Sequence, residues 1–446
     1  KCMYKLFYLF LFTSLIYSND DTHTLTEFEI VTINSFRDSG FSGISDDYTV
    51  INNLIKSNFY STDSEIHFGM YEICLGNDEL GCANLHLNRA IQINSKQRYY
   101  DLSDSLTLYR EFLENARRAV SKENYDIAIE DYENIIERFS GKGLPYYELG
   151  LIFDKLNDRN SAIINFNQAI SFNPNKDLYQ EAIYSIAQSI SREADEEARR
   201  QDYNSAIPKY LEAISNYPNF TQAYFQLAKS FYSLGDYEEA KLYLLQCLDI
   251  NPNQPQPLMM LATIYMRMKD FANAENYYRK AINVDPQSYK AYFRLGTLLM
   301  QEGEESQSLY EAKIFLEKSI ALNSDYYNAY ETLGIVNKYL KNYDNAIENF
   351  LITIDILGDK SKKRYKSLYL LADIYNTKKE YKTAKDYALV AVDIKENGGS
   401  ANFHLGIACK NLDERSRAKD AFKRATKDKD WRASAKYELN LMEKGK

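Results

Sequence analysis

The residues best suited to chemistry in this sequence are four histidines, His23, His67, His86 and His404, five cysteines, and the triplet Gly141-Lys142-Gly143. Histidine and cysteine offer metal ligation or nucleophilic catalysis when their spacing gathers them on one helix face or in one loop. No HExxH pair and no paired-cysteine zinc spacing occurs, so neither a metal nor a cofactor is expected. Gly141-Lys142-Gly143 is too short and too close to Pro145 for a phosphate loop, and reads as a turn. A Gly-x-Ser-x-Gly elbow is absent. Asp and Glu are abundant, but on amphipathic helices carboxylates face water, and no fixed pair stands out as acid and base. The chain is therefore expected not to be an enzyme; the alternative is an enzyme whose site lies in the divergent region 19–100.

The cysteines suggest structure instead. Cys74 and Cys82 flank the turn LGNDELG, where they either pin two helices as a disulfide in an exported protein or remain as two buried thiols. Cys247 and Cys409 fall on apolar helix faces, where a thiol is a small hydrophobe.

The elements that must position these residues come from a repeat. In AYFQLAKSFYSLGDYEEAKLYLLQCLDINPN (Ala223 to Asn253), Tyr224, Leu227, Ala228 and Phe231 share one helical face. After Gly235-Asp236, the residues Tyr237, Ala240, Leu244 and Cys247 share another, and Pro252 stops the second helix. The small residues Ala116, Gly150, Ala187, Ala228, Ala262, Gly296, Gly334, Ala372 and Gly406 mark the first helices. Ala128, Ala162, Ala206, Ala240, Ala274, Ala312, Ala346, Ala384 and Ala418 open the second ones, and in seven of nine pairs the gap is 12. Small side chains are needed where paired helices approach most closely. Between Ala187 and Ala206 the gap is 19, so seven residues around SREADEEARRQDY are expected to extend the first helix past its neighbours.

This pattern resembles the tetratricopeptide repeat (TPR) family, with Leu261-Ala262, Tyr265, Ala274, Tyr278, Ala281 and Pro286 matching one 34-residue unit. The resemblance implies an all-α, right-handed superhelical solenoid of antiparallel helix pairs acting as a non-enzymatic scaffold. With the rest of the sequence, the chain is expected to divide into a signal peptide (1–18), a divergent region and possible cap (19–63), a degenerate hairpin (64–108), nine repeats (109–430) and a capping helix (431–446). The resemblance also implies that a protein or peptide lies against the first helices. The contact positions carried over are Tyr147, Phe225, Lys229, Tyr232, Met259, Arg267, Phe293, Arg294, Met300 and Tyr369, with Lys290 at the rim. Family members that grip acidic chaperone tails use a two-carboxylate clamp, of which Lys290 and Arg294 match one pair. Met260, Phe225 and Lys229 stand where the other clamp residues would be, so the clamp is incomplete.

Lys5 and the uncharged run Leu6 to Ile16 resemble a signal peptide, because 11 apolar residues are too few to span a bilayer. The chain is expected to be exported to the periplasm or cell envelope, the alternative being a cytoplasmic or signal-anchored adaptor. The formal net charge is −9, yet residues 359–446 hold 22 Lys and Arg against 13 Asp and Glu. Any membrane contact is expected only through that basic C-terminal fifth, and an acidic chain without a basic-aromatic module is not expected to bind nucleic acid.

Overall fold

The structure, a computed structural model, describes residues 64–76, 78–174, 176–302 and 306–443. The expected signal peptide (1–18) and divergent region (19–63) lie outside the described residues. The chain divides into two units, Lys1–Ala194 with Leu211–Phe220, and Asp195–Tyr210 with Thr221–Lys446.

In the first unit, α1 (Ser64–Gly76) pairs with α2 (Leu80–Ile93), α3 (Gln97–Ser121) with α4 (Tyr125–Arg138), and α5 (Gly143–Lys155) with α6 (Arg159–Phe172). Their shared core holds Tyr71, Leu87, Tyr99, Leu113, Tyr132 and Ile135. The division between units runs through α7 (Asp177–Arg199) and α8 (Tyr203–Asn216). In the second unit, α9 (Thr221–Leu234) pairs with α10 (Tyr237–Ile250), α11 (Pro255–Arg267) with α12 (Phe271–Val284), and α13 (Tyr289–Glu302) with α14 (Ser306–Leu322). The pairs α15 (Tyr327–Tyr339) with α16 (Tyr343–Leu357), α17 (Tyr365–Thr377) with α18 (Tyr381–Ile394), and α19 (Gly399–Asn411) with α20 (Arg415–Ala425) follow, and α21 (Arg432–Glu443) packs on α20. Among the described residues there is no strand, and the fold is an all-α solenoid of tetratricopeptide type.

One turn recurs. Glu123, Asn157, Gln201, Gly235, Lys269, Lys341, Lys379 and Asp413 all have positive φ. The amide after each bonds back five residues, as Asp270 N–H does to the Tyr265 carbonyl at 2.9 Å, which is the Schellman ending of a helix. That following residue is Asp, Asn or Glu in every case and stands ahead of the next helix. Asp158, Asp202 and Asp270 also accept a bond from the amide three residues on, the usual N-cap. Each turn thus satisfies the end of one helix, and at Asp158, Asp202 and Asp270 the start of the next as well.

The same turn corrects the sequence register at α7. The left-handed residue follows the small residue by seven positions elsewhere, so Gln201 marks Ala194, not Ala187. Ala194 is fully buried and precedes Ala206 by the regular 12. The Tyr210 hydroxyl donates to Asp195 at 2.6 Å, repeating the Tyr278–Thr263 contact of 3.0 Å. The extra residues do lengthen the helix, but at its start: α7 begins 17 residues before Ala194, whereas α9 begins 7 before Ala228. Single-chain periodicity could not see this, because Ala187 and Ala194 lie two helical turns apart on one face.

Within each pair, size is matched across the closest approach. A Cβ added at Gly150 would lie 2.6 Å from the Phe166 ring, at Gly334 2.7 Å from Phe350, and at Gly406 2.5 Å from Phe422. Where the second helix carries a phenylalanine four residues after its alanine, the facing position of the first helix can hold no side chain at all, whereas opposite Tyr132, Tyr210 and Tyr278 it is alanine. The rings are 0–1% exposed and have nowhere to move.

Candidate functional site

The expected contact positions on α9, α11 and α13 all lie in the second unit. Lys229 extends over the Phe225 ring with Nζ 5.7 Å from its centroid and donates to Gln226 Oε1 at 2.8 Å. Arg267 on α11 stands beside the Tyr232 hydroxyl of α9, which raises its guanidinium pKa. Met259 receives the Ser288 hydroxyl at its sulfur, 3.8 Å away. Phe293 meets Tyr326 edge-on, with centroids 5.1 Å apart, and Arg294 extends over Phe293. Lys290 reaches over Tyr289, and Met300 packs on the core that contains Leu298 and Leu333. The rings and methionines are half-buried, whereas Lys229, Arg267, Lys290 and Arg294 are exposed.

The charge on these three helices is one-sided. They carry four cations, and their one carboxylate is Glu302 at the end of α13. Among the described residues, no carboxylate forms an ion pair with Lys229, Arg267, Lys290 or Arg294. The second helices hold the acids instead, as in Glu238 with Lys241 and Glu275 and Glu311 with Arg279.

The next first helices differ. Lys338 pairs with Asp373, and Lys366 lies 3.3 Å from Glu331, so α15 and α17 neutralise each other. Tyr369 stands here, away from the other candidates, stacked on His404 at 6.5 Å and against Tyr365 at 5.3 Å. Burial pushes the His404 imidazole down to about 4, and Asp373 opposes the shift without overcoming it. Its contact with Asp373 at 3.6 Å is therefore no ion pair at neutral pH.

Tyr147 belongs to the first unit, where it packs on Tyr179, a residue that the α1–α2 turn holds. Its ring lies 4.9 Å from Tyr179, and the Tyr179 hydroxyl donates to Asp78 at 2.6 Å. Asn173 donates to the Gly76 carbonyl and Lys176 pairs with Glu79, both at 3.1 Å. Burial raises the Asp78 carboxyl, against the pull of Tyr179 and Lys176. Nearby, Arg117 forks onto Glu148, which also accepts the Tyr132 hydroxyl at 2.6 Å. None of these contacts was legible in spacing, since Asp78 and Tyr179 are 101 residues apart.

Cys74 and Cys82 are joined as a disulfide with Cα atoms 5.6 Å apart. His67 and His86 meet beside them, a juxtaposition the spacing of the histidines did not suggest. Cys247 and Cys409 are buried free thiols, both pushed up by burial to about 11, so neither is primed as a nucleophile. A cleft of about 350 Å³ between α4, α5 and α6 is lined by Glu133, Glu137, Tyr146, Phe153 and Asn165 among others. No helix among the described residues is long and apolar enough to cross a membrane.

Comparison with known proteins agrees with the repeat class. Residues 212–364 match the family described as the cytochrome c-type biogenesis protein H TPR domain. Residues 145–176 and 365–397 match the tetratricopeptide repeat. No curated protein matches the chain. Similar solved structures include the C-terminal part of a TPR repeat-containing protein from Cytophaga hutchinsonii, at 19% identity over 56% of this chain and 98% of that one, with a TM-score of 0.45. A tetratricopeptide repeat protein from Parabacteroides merdae is 19% identical over 57% of this chain and 98% of that one, with a TM-score of 0.44. PilW, described as a type IV pilus biogenesis factor, is 19% identical over 48% and 96%, with a TM-score of 0.42. These likenesses concern the fold alone. The TPR matches support a protein-interaction scaffold.

Proposed function

We propose that the chain is a non-enzymatic scaffold that binds an acidic protein segment or peptide along α9, α11 and α13. The observation that carries this reading is the set of four exposed cations, Lys229, Arg267, Lys290 and Arg294, interleaved with Phe225, Tyr232, Met259, Phe293 and Met300 on helices almost free of carboxylate. Unpaired positive charge steers and holds carboxylates, and half-buried rings and methionines take apolar side chains at small entropic cost. Lys290 and Arg294 keep the part of the carboxylate clamp that this chain retains.

Fluorescence anisotropy with an acidic peptide carrying two aromatic residues, beside a basic peptide of equal length, tests the reading. The acidic peptide is expected to bind, more weakly as salt rises. Replacing the four cations together by Gln is expected to lower affinity about a hundredfold, taking roughly 0.7 kcal/mol for each exposed pair. Equal binding of the two peptides, or an unchanged affinity in the fourfold variant, would exclude the reading.

We also propose export to the cell envelope, supported by the basic residue and apolar run at 5–16. N-terminal sequencing of the envelope fraction is expected to begin near Asn19; an intact Met3 in that fraction would rule out cleavage.

A further inference from the structure

Four side chains of metal-binding type meet in the α1–α2 hairpin. The sulfurs of Cys74 and Cys82 and one ring nitrogen of His86 all lie within 4.8 Å of one another. Nδ1 of His67 is 2.9 Å from Nδ1 of His86. His67, His86 and Cys74 are each 1% exposed. The helices explain the meeting. His67 and Cys74 are seven residues apart on α1, and Cys82 and His86 four apart on α2, spacings that return to the same helical face. The turn between them brings the two faces together.

A tetrahedral zinc site has metal–sulfur distances of about 2.3 Å and metal–nitrogen distances of about 2.0 Å, so its ligand atoms stand about 3.3–3.8 Å apart. With the three atoms within 4.8 Å of one another, the sulfurs once unbonded move apart and the imidazole nitrogen moves in, each by about 1 Å, to meet such a centre. Two thiolates and an imidazole are a soft set, which favours zinc over magnesium or calcium. A ligating histidine commonly has its other ring nitrogen held by a partner. His67, in contact with His86, is placed to serve in that way.

We propose that in the dithiol state Cys74, Cys82 and His86 ligate a zinc ion, with His67 positioning His86. The disulfide and the metal exclude each other, because a sulfur bonded to sulfur is not a thiolate. Reduction of the disulfide by a dithiol takes up two electrons and two protons, oxidising that dithiol to its own disulfide and leaving two cysteine thiols here. Zinc then displaces the two thiol protons. Either staple fixes the same turn, Gly76 to Glu79, which bonds to Asn173, Lys176 and Tyr179.

The test uses the full chain, reduced with a dithiol that is then removed under nitrogen, and titrated with cobalt(II). One cobalt per chain is expected, with the visible bands of a tetrahedral ion and a thiolate-to-metal band in the near ultraviolet, all lost when one equivalent of zinc is added. The oxidised chain and the double variant C74S/C82S are expected to show none of these bands. H67A is expected to bind about 10–100-fold more weakly. A reduced wild-type chain with unchanged helical circular dichroism and no cobalt bands would overturn the site. The same bands in C74S/C82S would place any metal elsewhere, and wild-type affinity in H67A would remove His67 from the proposal.

Discussion

Replacing Phe350 by Ala is expected to destabilise the α15–α16 pair by about 3–5 kcal/mol, the usual cost of deleting a buried ring. Phe350 is fully buried, and its ring covers Gly334 so closely that no Cβ fits between them. The reciprocal change, Gly334→Ala, is expected to cost about 1–3 kcal/mol by overpacking in the wild-type background. With Phe350→Ala already present the space is open, and the same Gly334→Ala change becomes neutral or stabilises by up to about 1 kcal/mol through helix propensity. A repeat array need not unfold in one step, so the measurement is amide hydrogen exchange of α15 and α16 in all four members of the cycle. Simple additivity would show that ring and glycine are not one packing unit.

Acidification from pH 7 to pH 4.5 is expected to weaken the C-terminal repeats through His404. Its imidazole is held down to about 4 by burial, with the ammonium of Lys338 acting in the same direction and Asp373 against. Asp373 is itself paired with Lys338, and the remaining neighbours of His404 are the rings of Tyr369, Phe403 and Trp431. A histidine whose folded value lies below its ordinary one gives the unfolded chain the earlier proton. Stability is therefore fully present above the unfolded value, near 6.5, and falls as pH drops through the window down to about 4. The loss approaches roughly 3 kcal/mol at the lower end of that window. Many carboxylates also titrate there, so the comparison is between wild type and His404→Phe, each melted at both pH values. The variant is expected to lose clearly less stability on acidification. Equal losses would mean that His404 takes a proton as readily in the fold as out of it.

The proposed α9, α11 and α13 face combines positions taken from the family with contacts that only the fold supplies. Family positions selected Phe225, Lys229, Tyr232, Met259, Arg267, Phe293 and Arg294, and the structure sets these around contacts such as Arg267 with Tyr232 and Phe293 with Tyr326. Tyr326 was missed because it lies ahead of its helix, outside any periodic position. Tyr147 and Tyr369 occupy equivalent positions, yet one packs on Tyr179, which Asp78 of the α1–α2 turn holds, and the other stacks on a buried histidine. Position in a repeat says which way a side chain leaves its helix; what arrives from elsewhere in the chain decides whether it stays open.

By itself the sequence determined the helix pairs, because a small residue followed 12 positions later by alanine is a local rule, set by the closeness of two helices joined by a short turn. It also determined the one-sided charge of the first helices from α9 to α13, which is plain composition. The register of α7 was decided only in three dimensions, since two alanines a whole number of turns apart look alike until Gln201 and the Asp195–Tyr210 bond fix one of them. The meeting of His67 and His86 beside Cys74 and Cys82 was decided there too. Ligands drawn from two helices have no fixed sequence spacing, and only the closing of the hairpin brings their atoms into one place.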